Sequence, residues 1–164
     1  MPIPPSQPPS DLASLDLGTL AFIAGTGFNH TVTARLRAAG YPEVRQAFGY
    51  VVQHLLSGPK SATQLANLMG ISQQAATKRL QEMLGLGLLE EVAGEDARRR
   101  MVVLSARGWS MVETTRALRE QVAAEVLASL PPAEVGVARR VLAEVVHRLG
   151  IEPAVRARRL READ

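Results

Sequence analysis
The chain has 164 residues, enough for one compact core with flanking helices. It carries 19 Lys and Arg against 16 Asp and Glu, a net charge of +3, a mild basic balance that favours a polyanionic partner without requiring one. Cysteine is absent, which excludes disulfides, thiol redox sensing and cysteine-ligated zinc.

Residues 1–10 hold five prolines and read as an extended, disordered lead-in lacking the charge of a secretory signal. Ser10 is placed to cap a first helix over 11–39, with Leu12, Leu15, Leu20, Ile23, Val32 and Leu36 at roughly helical spacing. Gly25-Thr26-Gly27 interrupts that pattern. Glycines inside a helix cost roughly 1 kcal/mol each against alanine, so a kink or break is predicted there. Gly40-Tyr41-Pro42 ends the segment. A second helix is predicted over 43–56, with Val44, Phe48, Val51, Val52 and Leu55 on its buried stripe and Ser57-Gly58-Pro59 as its stop.

The next stretch carries the strongest local signals. Ser61 and Gln64 form a capping box opening a short helix over 63–69, which Gly70 turns off. Ser72 caps the helix that follows, where Ala76, Leu80, Met83 and Leu84 make one buried stripe. Its opposite face holds Gln73, Gln74, Thr77, Lys78 and Gln81, and Gly87 ends it as a left-handed cap. Residues 88–93 and 100–104 read as two strands joined by Gly94-Glu95-Asp96-Ala97-Arg98-Arg99. Helix, turn, helix and β-hairpin in that order make a winged helix-turn-helix, a DNA-binding module.

Ser105 caps a long helix over 106–130, with Met111, Leu118, Val122 and Val126 on one face. Pro131-Pro132 breaks the chain before a sixth helix over 133–149, with Val135, Ala138, Leu142, Val145 and Leu149 in phase. The tail bears Arg156, Arg158, Arg159 and Arg161 and reads as an unstructured end able to add nonspecific DNA affinity. No apolar run approaches the roughly 18 residues of a membrane span, so a cytoplasmic chain with no membrane partner is expected. The flanking helices carry more apolar surface than the central module can cover, which predicts a homodimer.

Residue chemistry suggests how such a module would read DNA. Gln73 and Gln74 can pair with adenine, Thr77 can meet a thymine methyl, and Lys78 suits guanine or phosphate. Ser72 can serve as cap and phosphate contact together. Arg98 on the hairpin tip can enter a narrow minor groove, with Asp96 holding its guanidinium in place. Arg99 and Arg100 suit phosphates. The competing readings are a plain polar helix face and a solvated charge cluster; position inside the motif favours DNA.

Tyr50 and His54 sit at i, i+4 on the less apolar face of the second helix. With Phe22, Phe28, His30 and Trp109 they would suit a shallow pocket for an anionic phenolic ligand, although each read singly is better explained as core or boundary. The histidines, at 30, 54 and 147, are scattered without carboxylates at ligand spacing, so no metal site is expected. No nucleophile with a base, paired acids or phosphate loop is visible, so neither enzyme activity nor a cofactor is expected.

The sequence resembles the MarR family of bacterial transcriptional regulators. Leu65-Ala66-Asn67-Leu68-Met69-Gly70-Ile71-Ser72 is similar to that family's helix-turn-helix, and Leu86-Gly87-Leu88-Leu89 to its junction between recognition helix and wing. Asp96-Ala97-Arg98, then Leu104-Ser105-Ala106-Arg107-Gly108, resembles its wing signature. Three features depart from the pattern: Ser105 stands for the usual Thr, Glu90-Glu91 where an arginine is common, and Gly25-Thr26-Gly27 in a helix that relatives keep more continuous. The resemblance implies an obligate dimer with interleaved terminal helices, palindromic operator DNA, a repressor role, and often a small phenolic or aromatic effector. The expected fold is mainly α with a small β-hairpin wing, a winged helix-turn-helix flanked by N- and C-terminal dimerisation helices. The segments are a lead-in (1–10), an N-terminal dimerisation region (11–42), the DNA-binding domain (43–105), C-terminal dimerisation helices (106–150) and a basic tail (151–164). The alternative is a winged-helix protein-interaction module without specific DNA binding, which Glu90-Glu91 would suit.

Overall fold
Asp16, and not Ser10, opens the first helix. The computed structural model describes residues 12–94 and 100–150, so Ser10 and the basic tail lie outside the described residues. After a single 3-10 turn, Leu12–Ser14, helix α1 runs over Leu17–Ala38. The Asp16 carboxylate accepts from the Thr19 N–H at 3.0 Å and from the Thr19 hydroxyl at 2.6 Å, bonds that hold its pKa below the ordinary carboxylate value.

The predicted break at Gly25-Thr26-Gly27 does not occur: α1 is uninterrupted there. Its C-terminal half explains why. Val32 and Leu36 are buried, Arg35 clasps Glu125 of α5 (Ala106–Leu127) through two bonds of 2.8 and 2.6 Å, and Arg119 donates to Asn29 at 2.8 Å. Anchoring of this kind offsets a glycine cost of about 2 kcal/mol.

The second helix is also shorter than predicted. α2 covers only Phe48–Leu55, and turns occupy the residues before it, where the Val44 N–H donates to the Tyr41 carbonyl and the Phe48 N–H to the Arg45 carbonyl. Tyr41 and Val44 both reach the core from these turns, so burial overrides helix propensity.

The central motif follows the sequence closely. α3 (Ala62–Met69) has both arms of the Ser61–Gln64 capping box, and Gly70 ends it at φ +64°. α4 (Gln73–Gly85) is capped by Ser72 and buries Ala76, Leu80 and Met83. Strands β1 (Leu89–Ala93) and β2 (Arg100–Leu104) pair antiparallel with Leu89 opposite Leu104. Lys60 adds a short third rung by bridging Val102, which the sequence did not reveal. α6 (Pro132–Arg148) follows α5 and buries none of its residues in this chain.

The hairpin is fixed to α5 by a small clasp. The Ser105 hydroxyl donates to the Gly87 carbonyl at 2.6 Å and accepts from the Gly108 N–H at 3.0 Å. A β-carbon on Gly108 would lie 2.1 Å from the Leu88 carbonyl oxygen, so only glycine fits. Gly108→Ala should therefore destabilise the protein by about 1–3 kcal/mol or more, read as a lower urea midpoint. Ser105→Thr, which keeps the capping hydroxyl, should change that midpoint little.

Candidate nucleic-acid interface
A helix presents a readable face only if its other face is pinned. Here Ala76 and Met83 are fully buried and Leu80 nearly so, which turns Gln73, Gln74, Lys78 and Gln81 to solvent with Thr77 half-buried between them. These five side chains line one open depression. No carboxylate lies among them, and the amides and hydroxyl offer both donors and acceptors. The Ile71 N–H bonds the Ala66 carbonyl and the Ala75 N–H bonds the Ser72 hydroxyl at 3.2 Å, so the tight turn aims the positive N-terminal end of α4 outward. Such an end favours a phosphate. Gln81, placed on this face by the sequence at i+4 from Thr77, lengthens it by a turn.

On the wing, Glu90 and Glu91 are exposed, and Glu91 pairs with Arg100 across the strands at 3.2 Å. Asp96, Arg98 and Arg99, the candidate minor-groove residues, lie outside the described residues.

The residues expected to form an aromatic pocket are not brought together in one. Phe22 is 73% exposed on α1 and Trp109 is 43% exposed at the start of α5, while Tyr50 and His54 are half-buried on α2. The cavity between α1, α2 and α5, about 190 Å3, is lined by other residues. Val32, Leu36, Phe48, Val52, Met111 and Val112 give it an apolar floor, and Arg45, Arg116 and Arg119 a cationic rim. His30 lines a polar depression beside it that shares Asn29, Thr33, Arg45 and Gln46. The sequence did carry a trace of the true lining: Val112, Thr115, Arg116 and Arg119 repeat at i, i+3, i+4 and i+7 on α5. Arg45 left none, because its partner, Glu82 on α4 at 2.9 Å, is remote in sequence.

Comparison with known proteins locates the module. Residues 49–100 match the sequence model of the MarR family. The reduced form of MarR from E. coli is similar in structure (TM-score 0.64, 20% identity, 80% of this chain and 97% of that one). RV1404 from Mycobacterium tuberculosis is similar at TM-score 0.67 and 19% identity, over 86% of this chain and 97% of that one. A mutant of MepR from S. aureus bound to an oligodeoxyribonucleotide is similar at TM-score 0.62 and 13% identity, over 83% of this chain and 99% of that one. No curated protein matches the chain by sequence.

Ser72→Ala removes the cap that starts the exposed face of α4. It should lower stability by about 1 kcal/mol, measured by urea unfolding, with fraying at the helix start visible in amide exchange.

Proposed function
We propose that this chain, whose residues 49–100 match the MarR family model, is a homodimeric transcriptional repressor of palindromic operators. The observation that carries this reading is the face of α4, polar, free of carboxylate and bounded by a buried stripe. Gln73, Gln74 and Thr77 would read base edges in the major groove, Lys78 and the Ser72 end of the helix would meet phosphate, and Arg98 with Asp96 and Arg99 would reach the minor groove from the wing. The oligonucleotide bound to the S. aureus relative supports the same class of partner.

Dimerisation is supported by surface left bare in the single chain. α6 buries nothing, and Phe22, Ile23, Val126, Leu130, Val141 and Leu142 are all more than two-fifths exposed. Large apolar side chains left bare in such number favour an interface. An effector is supported by the cavity between α1, α2 and α5, which replaces the aromatic cluster expected from sequence.

Titration against cognate and scrambled duplexes at two salt concentrations tests the DNA reading. Gln74→Ala should weaken cognate binding by about 1–3 kcal/mol and leave random DNA nearly unaffected. Arg98→Ala should weaken both and lower the salt slope by about one. If neither substitution changes binding, a protein-interaction module is the better account. Sedimentation at micromolar concentration should give a dimer, and removal of residues 132–164 should abolish it; a monomeric full chain refutes the assembly.

A further inference from the structure
We propose that α4 reads bases through its third turn, with Gln81 taking an adenine three base-pair steps from the adenine taken by Gln74. The inference rests on the reading of α4 as the DNA-facing helix and extends it by one residue and a register. Gln74 and Gln81 are both exposed and stand seven residues apart. Seven residues leave a straight α-helix only about 20° out of phase, so the two amides lie on one line along α4. Their separation of roughly 10.5 Å, at about 1.5 Å per residue, equals about three base-pair steps of about 3.4 Å. Glutamine meets adenine through both N6 and N7 in the major groove, whose width of about 12 Å admits a whole helix.

The surroundings keep that line clear along its whole length. Gln73, Gln74, Thr77, Lys78 and Gln81 line one continuous depression. No arginine lines it, so its planar, two-point contacts come from glutamine amides. The one carboxylate of α4, Glu82, does not line it either and is engaged by Arg45 at 2.9 Å. Gly85, four residues beyond Gln81 and on the same side of the helix, is exposed, and a β-carbon there would meet nothing within 4 Å. The left-handed turn that follows α4 is supplied by Gly87 at φ +66°, not by Gly85. The packing and the turn of the chain itself thus make no use of glycine at 85. A bare backbone there lets the end of a straight helix pass close to the sugar–phosphate wall as the groove curves away from it.

The test uses the full-length protein. Wild type, Gln74→Ala, Gln81→Ala, Gln81→Arg and Gly85→Leu each select duplexes from one random pool, and affinities are then read by fluorescence anisotropy. Residues 74, 81 and 85 are all exposed, so the variants should keep the fold. The wild-type half-site should hold adenines at two positions three steps apart. Gln81→Ala should lose the preference at one of them alone, and Gln74→Ala at the other alone. Gln81→Arg should select guanine in place of adenine at the Gln81 position. Replacing that adenine in the duplex should weaken wild-type binding about 5- to 150-fold and leave Gln81→Ala unaffected. Gly85→Leu should bind every duplex several-fold more weakly and still select the wild-type sequence. A Gln81→Ala protein that selects the wild-type sequence overturns the inference, as does loss of preference at one shared position in both alanine variants, or adenine still selected by Gln81→Arg. Undiminished binding by Gly85→Leu overturns the placement of the end of α4 in the groove. A wild-type protein that enriches no sequence refutes the DNA reading itself, a result distinct from an enriched sequence indifferent to residue 81.

Discussion
The winged-helix half of the molecule depends on one close approach, that of Gly108 on α5 to the Leu88 carbonyl. Leu88 lies between the end of α4 and the start of β1, immediately after Gly87 at φ +66°. The same few atoms take the Ser105 hydroxyl bond to Gly87 and the Ser105 N–H bond to Leu88 at 3.1 Å. Recognition helix, wing and long helix are thus fixed to each other at one point, with backbone groups that have no rotamers to relax. Any side chain at 108 would open that point and separate the wing from α4. Farther along, α5 is held to α1 by Arg35 and Glu125, whose carboxyl the guanidinium keeps below its ordinary pKa. α5 is therefore the rod through which both halves of the chain are aligned.

What the sequence disclosed and what it concealed divide by range of interaction. The Ser61–Gln64 box, the Gly70 turn, the Ser72 cap and the α4 stripe each involve residues within a turn or two of one another, and all are present. The continuity of α1 and the late start of α2 depend on partners about 70 to 90 residues away, Glu125 and Arg119 for α1, and Ser110, which bonds the Tyr41 hydroxyl at 3.0 Å, for the turn. Local propensity spoke for a break and for a longer helix; tertiary contacts prevailed in both places. The Lys60–Val102 rung belongs to the same class, since nothing in either residue marks it as a pairing partner.

The cavity repeats this lesson for function. Grouping Phe22, His30, Tyr50, His54 and Trp109 by chemical type ignored direction, and on helices direction decides what can meet. Phe22 faces away from the packed half of α1 and is left bare, as is Ile23 beside it. The lining instead comes from the helix flanks that face inward, with arginines at the margins where their heads reach water and their stems cover apolar floor.

Two physically different kinds of contact meet in this arrangement. Between α1 and α5 the contact is broad and apolar, with Val32, Leu36, Met111, Val112 and Val122 buried. The charge on α4 is set by single polar partners, and one of these, Arg45, is shared with the cavity. In a face whose only formal charge is Lys78, the position of one nearby carboxylate, that of Glu82, is a large fraction of the local field.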